Sequence, residues 1–235
     1  MGEAFDKTLA ARIEHTLLQA DATRAQIKKL CDDAVSFQFH GVAVNGTHVS
    51  WAAQRLVGSG RAVIATIGFP LGAMGTKAKA AEARAAVEDG ADELDMVINV
   101  GALKEGNDTL VQEDIAAVVT AACGRPVKVI LETGLLSSDE IVRACKRAMA
   151  AGAQFVKTAT GFGPRGATPE DVRLMRRTVG AHFGVKVAGG IRTRAQALAM
   201  IEAGADRIGS SASVTIVSAT ADLRTESVDS SVLKA

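Results

Sequence analysis

Two hydrophobic rhythms alternate along this chain. Short, nearly continuous apolar runs are separated by longer stretches in which apolar residues return every three or four positions. The short runs read as strands buried on both faces, and the longer ones as amphipathic helices. The pattern predicts strands at 13–17, 39–44, 62–67, 93–99, 127–132, 155–159, 185–188 and 207–209. Helical patterns lie between most of them, at 49–57, 77–88, 109–122, 138–150, 169–179 and 194–202. A Gly-Ala pair recurs at 90–91, 152–153 and 204–205, each time after an Ala-rich amphipathic stretch and just before an apolar run. Gly90, Gly152 and Gly204 are therefore expected to end helices in the left-handed conformation. Each interval is long enough for two strand–helix units. Eight such units in about 200–250 residues predict an α/β fold of the (β/α)8 TIM barrel type, with an open doubly wound sheet as the rival. No linker interrupts the pattern, so one barrel is expected over 1–218, with an extra N-terminal segment ahead of the first strand. Residues 219–235 are polar, lack aromatics and read as a tail.

Three lysines and an aspartate stand mid-strand in four of those apolar runs: Asp95, Lys128, Lys157 and Lys186. Side chains alternate across a strand, so one parity faces the barrel interior and the other faces the helices. Leu94, Met96 and Ile98 form the outward apolar set of the fourth strand, leaving Asp95, Val97 and Asn99 inward. By the same rule Val127, Val129 and Leu131 point out, while Lys128, Ile130 and Glu132 point in. Val156 points out and Lys157 in; Val185 and Val187 point out and Lys186 in. Four consecutive strands thus send charge to one interior, with Glu132 as a fifth candidate. One such lysine would read as a strand-end lysine reaching solvent, and the set could be a space-filling ion-pair network. A charge is costly there unless paired or used, and four together point to use. Crowded amines lower one another's affinity for protons, which makes a lysine nucleophilic near neutral pH. The residues alone do not choose between Lys157 and Lys186 as that nucleophile.

Composition narrows the alternatives. Net charge is +1, from 27 basic and 26 acidic residues, so no electrostatic footprint for nucleic acid is visible. Nothing approaches a membrane span of about 20 apolar residues, and the N-terminus has no signal-peptide-like run. Cys31, Cys123 and Cys145 lack metal-ligand spacing and read as reduced thiols of a cytoplasmic protein. His15, His40, His48 and His182 are not paired at metal-ligand spacing, and no nucleophile elbow or Walker-type loop is present.

Glycine-rich segments follow the last strands: Ala188-Gly-Gly-Ile-Arg192 and Ile208-Gly-Ser-Ser-Ala212. Barrels often hold phosphate in the loops after strands seven and eight. Gly189, Gly190 and Gly209 would let phosphate oxygens approach backbone N–H groups, with Ser210 and Ser211 as further donors. Gly161-Phe-Gly163 could form a flexible wall beside them, and 68–72 could close the opposite side.

Ordered motifs along nearly the whole chain resemble the deoxyribose-phosphate aldolase family. They include Glu14-His-Thr-Leu-Leu18, Ile67-Gly-Phe-Pro-Leu-Gly72, Glu93-Leu-Asp-Met-Val-Ile-Asn99, Lys128-Val-Ile-Leu-Glu-Thr133, Val156-Lys-Thr-Ala-Thr-Gly-Phe162, Lys186-Val-Ala-Gly-Gly190 and Arg207-Ile-Gly-Ser-Ser211. The resemblance implies reversible cleavage of 2-deoxy-D-ribose 5-phosphate to acetaldehyde and D-glyceraldehyde 3-phosphate, through a lysine Schiff base and without metal or organic cofactor. It implies Lys157 as the nucleophile, Lys186 as the neighbouring ammonium, Asp95 as the proton relay and Lys128 as its partner. Thr158 and Gly161 join the expected substrate contacts. The partners it implies are phosphosugar and aldehyde substrates and further copies of the same chain, as a homodimer or larger.

The chain also departs from the family pattern. Glu14 stands where an aspartate is usual, Gln19-Ala20 replaces a common Lys-Pro, Ala43 occupies a frequent cysteine position, and there is no tyrosine. Glu14 and the missing tyrosine favour an alternative, a Schiff-base aldolase for another aldehyde acceptor. The remaining rival, a non-catalytic phosphosugar-binding barrel, has no use for the intact set Asp95, Lys128, Lys157 and Lys186.

Overall fold

A computed structural model describes residues 5–218; the expected tail at 219–235 lies outside the described residues. Eight parallel strands close a barrel: β1 (Ile13–Leu17), β2 (Gly41–Val44), β3 (Ala62–Ile67), β4 (Glu93–Val97), β5 (Val127–Ile130), β6 (Phe155–Lys157), β7 (Gly184–Ala188) and β8 (Arg207–Ser210). Each pairs with the next, and β8 returns to β1 with Glu14 opposite Gly209. The TIM-barrel expectation therefore holds and the open sheet is excluded.

Around the barrel run α1 (Lys7–Ala10), α2 (Arg24–Ser36), α3 (Val49–Leu56), α4 (Thr76–Glu88), α5 (Val100–Lys104), α6 (Asp108–Ala121), α7 (Ser138–Ala150), α8 (Pro169–Val179), α9 (Arg194–Glu202) and α10 (Ser213–Ser218). The expected helices appear, and α2 is an addition. Its buried residues Ile27, Leu30, Cys31 and Ala34 follow helical spacing, and a Thr23–Gln26 capping box starts it. The expected extra N-terminal segment contains α1. Asp6 caps it, and the Asp6 N–H donates to the Val217 carbonyl of α10 at 3.1 Å. None of the described helices is long and apolar enough to cross a membrane.

The outward parity set is buried as predicted. Leu94, Met96, Ile98, Val127, Val129, Leu131, Val156, Val185 and Val187 all lie in the core between strands and helices. Each such side chain contributes about 1.5–3 kcal/mol relative to exposure. Three strands end earlier than their apolar runs. Asn99 leaves β4 to cap α5, accepting from the Ala102 N–H at 3.1 Å. Glu132 adopts φ +58° and turns the chain out of β5, and β6 stops at Lys157.

The recurring Gly-Ala motif does two jobs. Gly90, Gly152 and Gly204 have φ of +98°, +83° and +112°, as helix-ending residues should. The residue two positions on then clasps the preceding strand. Asp92, Gln154 and Asp206 accept from the N–H groups of Val63, Val127 and Val185 through their side chains, each at 2.8 Å. Their own N–H groups donate back to the carbonyls of the same valines at 2.8, 3.0 and 2.8 Å.

Candidate active site

Parity and register bring the four predicted charges together. Asp95 lies opposite Lys128 in the β4–β5 register, and Lys157 lies opposite Lys186 in β6–β7. Asp95 is the hub. Its Oδ1 accepts from Lys128 Nζ at 2.9 Å, and its Oδ2 accepts from Lys157 Nζ at 2.8 Å and Lys186 Nζ at 2.5 Å. All four residues are buried.

Two further carboxylates complete the layer. Glu14 pairs with Lys186 and places Oε1 3.5 Å from Lys128 Nζ. Glu93 places Oε2 2.6 Å from Lys128 Nζ. Three amines thus face three carboxylates, with the Arg207 guanidinium 3.6 Å from Glu14 and 3.8 Å from Glu93. Glu93 shares the parity of Asp95, so the alternation rule already pointed it inward. Glu14 was noticed only as a departure from a family pattern. Its pairing to Lys186 depends on β1 meeting β8 across the closed barrel, which local sequence does not carry. Glu132, the fifth candidate, does not join this layer. After its left-handed turn, its Oε2 accepts from the Thr160 N–H at 3.2 Å and hydroxyl at 2.5 Å.

These contacts separate the amines chemically. Burial lowers Lys157; the pull of Asp95 opposes this and the Lys186 charge reinforces it, leaving its pKa at about 8. Burial acts on Lys128 in the same direction, but Asp95, Glu14 and Glu93 outweigh it and hold Lys128 above the ordinary lysine value. Burial would raise Asp95, yet Lys128, Lys157 and Lys186 together hold it well below the usual carboxylate range.

Lys157 also lines a cavity of about 180 Å³ at the C-terminal end of the barrel. Its walls include Gly161, Gly189, Gly190, Gly209, Ser210 and Ser211, the glycines and serines expected to meet phosphate. Gly189 and Gly190 have φ of +93° and +81°, a backbone that a residue with a side chain adopts only with strain. The Ser210 hydroxyl is already committed, donating to the Ile191 carbonyl at 2.7 Å and accepting from the Ala212 N–H at 3.0 Å. Among the described residues, the Ser211 hydroxyl has no such partner. Arg192 and Thr16 also line the cavity and were not singled out from sequence.

Thr158 is not brought to this cavity. It follows Lys157 and so faces the helices. Its buried hydroxyl donates to the Ala188 carbonyl at 3.1 Å and accepts from the Ala188 N–H at 3.0 Å, bolting β6 to β7. Among metal-ligating side chains of the described residues, Glu14, His40 and Glu93 bring donor atoms within 4.8 Å of one another. Lys128 and Arg207 stand against those same carboxylates, so the local negative charge is already balanced by side-chain cations.

Known proteins place the geometry in a lineage. A family profile for DeoC/LacD aldolases matches residues 8–217. A deoxyribose-phosphate aldolase of Geobacillus sp. is 56% identical over 214 residues, covering 91% of this chain and 96% of its own. Deoxyribose-phosphate aldolase 2 of Staphylococcus aureus is 55% identical over 208 residues, covering 88% and 94%. The tetrameric deoxyribose phosphate aldolase structure from Aeropyrum pernix aligns with a TM-score of 0.84 at 31% identity, covering 89% of each chain. With a buried amine cluster at the barrel mouth and matches spanning most of its length, this chain belongs to the DeoC/LacD family of aldolases.

Proposed function

We propose that the chain catalyses reversible aldol cleavage of 2-deoxy-D-ribose 5-phosphate through a Schiff base on Lys157. The observation that carries this reading is one amine, Lys157. It is buried and brought to about 8, hydrogen-bonded to Asp95, and open to a glycine-lined cavity.

Neutral Lys157 attacks C1 of the open-chain sugar, and loss of water gives an iminium. The iminium withdraws electrons from the C2–C3 bond. Asp95, acting through a water, takes the C3 hydroxyl proton as that bond breaks, and D-glyceraldehyde 3-phosphate leaves. The enamine is protonated at C2 and hydrolysed to acetaldehyde, which regenerates the amine. Burial favours the neutral form of Lys157, Lys186 adds like-charge repulsion in the same direction, and Lys128 orients Asp95. Gly189, Gly190, Gly209 and Ser211 bind the phosphate with backbone N–H and hydroxyl donors. That remote binding energy positions the reacting carbons.

The substrates are small phosphosugars and aldehydes. We assign a homo-oligomer, supported by the tetrameric Aeropyrum pernix relative, and a cytoplasmic setting, supported by three free thiols. Borohydride trapping with 2-deoxyribose 5-phosphate, followed by peptide mass mapping, tests the chemistry. An adduct on Lys157 is expected. An adduct on Lys186 would reverse the assignment, and no adduct on folded, phosphosugar-binding protein would overturn it.

A further inference from the structure

One charged contact reaches the reactive layer from the wrong end of the barrel. His40 immediately precedes β2, and Glu93 opens β4, so both stand at the N-terminal mouth, opposite the cavity. His40 is partly exposed, with 23% of its side chain accessible, while Lys128 is fully buried. From that surface, contacts of hydrogen-bond length run inward. His40 Nε2 meets Glu93 Oε1 at 2.8 Å, Glu93 Oε2 lies 2.6 Å from Lys128 Nζ as an ion pair without hydrogen-bond geometry, and Lys128 Nζ donates to Asp95 Oδ1 at 2.9 Å. Asp95 Oδ2 meets Lys157 Nζ at 2.8 Å.

We propose that His40 is a positioning residue for the Lys157 amine, acting through Glu93 and Lys128 from the far end of the barrel. This rests on the reading of Lys157 as the nucleophile. Lys128 is shared among Glu93, Asp95 and Glu14, so whatever satisfies Glu93 decides how much of Lys128 is left for Asp95. His40 occupies one Glu93 oxygen and thereby weakens the claim of Glu93 on Lys128. Without it, Glu93 draws Lys128 toward itself, Asp95 gives more of its charge to Lys157, and the ammonium form of Lys157 is favoured. Other charges near this pair include Glu14, with a carboxylate oxygen within 4.8 Å of the His40 and Glu93 donor atoms, Arg207, 3.8 Å from Glu93, and Arg61, which donates to the Phe39 carbonyl at 2.7 Å. Neither arginine supplies Glu93 with a contact as short as that from His40.

The sign of the coupling makes it testable. His40→Ala is expected to move the acid limb of kcat/KM for deoxyribose phosphate to higher pH. His40→Gln, which keeps a donor near the Nε2 position, should restore it. Glu93→Gln removes the competing carboxylate, frees Lys128 for Asp95 and should move the limb the opposite way. In the Glu93→Gln background, His40→Ala should then have no effect. A half-unit move of the limb changes kcat/KM about threefold on the acid side. Lys157 is read independently of turnover by the pH dependence of its reductive methylation with formaldehyde, followed by mass mapping. If no sugar adduct forms on Lys157 yet its methylation profile moves as stated, the assigned function fails and the coupling stands. If His40→Ala lowers Tm but leaves both profiles in place, His40 is structural only and the proposal is overturned. Shifts of the same sign in His40→Ala and Glu93→Gln also overturn it. Should His40→Ala not fold, His40→Leu, which keeps bulk but has no donor, takes its place: an upward move of the limb that vanishes in the Glu93→Gln background supports the proposal, and an unmoved limb overturns it.

Discussion

Lys79 and Lys157 are both buried lysines facing an aspartate, and they have opposite fates. Lys79 sits between α4 and α6. Its Nζ donates to Asp114 Oδ2 at 2.6 Å and the Val97 carbonyl at 2.9 Å, while Thr76 donates to the other Asp114 oxygen at 3.0 Å. The side chains are 0% and 2% exposed, and a β-carbon on Gly68 would come within 3.0 Å of the Lys79 stem. One ammonium meets one carboxylate, and the site is closed. Lys157 shares its aspartate with two other amines and opens into a cavity. Burial is common to both. Crowding by like charge and an opening to substrate separate a reactive lysine from a structural one.

Substitution should split the two cleanly. Lys157→Leu is expected to lower kcat on the order of 10⁵-fold, as loss of a covalent nucleophile does, with Tm near that of the parent. Lys79→Met should do the reverse, leaving kcat of the folded protein unchanged and costing about 3–5 kcal/mol in denaturant unfolding, because Asp114 is left buried and unpaired. Adding Asp114→Leu to Lys79→Met should recover most of that loss. A large kcat loss in Lys79→Met would erase the contrast.

pH sharpens the same contrast. As the proposed nucleophile, Lys157 must be neutral to attack, so kcat/KM should rise with pH and level off above about 8. Lys186→Met removes a like charge and leaves Asp95 freer to hold the Lys157 ammonium. The limb should therefore move up, and a downward move in the pH–rate profile would refute crowding as a cause.

The smallest effect concerns thiols. Burial pushes Cys31 up to about 11 and Cys145 up to about 12, and Cys123 is exposed. Ala43 points into the barrel without a thiol, because Val42 and Val44 take the outward parity. Alkylating Cys123 should leave kcat unaltered, and incubation with crotonaldehyde should cause little loss. Rapid inactivation of the alkylated protein would count against this.

Alternation along strands anticipated most of the buried charge cluster, because a two-residue period converts position into facing once the outward apolar set is known. The same rule, not carried that far, would have turned Glu93 inward and Thr158 away from the cavity, where Thr158 had been expected among the substrate contacts. It failed at Glu132, where a positive φ ended the strand and re-aimed the side chain. The Glu14–Lys186 contact was not legible, since it depends on closure between strands at the two ends of the sequence. Helix α2 was missed because its charged, weakly apolar segment gives a faint signal; its capping box and its 27, 30, 31, 34 spacing are the marks that could have found it.

The clasps at Asp92, Gln154 and Asp206 have a kinetic consequence. Each fastens neighbouring strands across 29, 27 or 21 residues. Three strand pairs can therefore form early and independently, before any closed barrel exists. The last step joins the ends of the chain, where His15 meets Ser213 across 198 residues. Loop-closure entropy grows only with the logarithm of length, so this step costs about 1.8 kcal/mol more than a clasp of 27 residues. Closure is a modest final charge on modules already built, and a chain cut and rejoined between modules should still find its way to the same barrel.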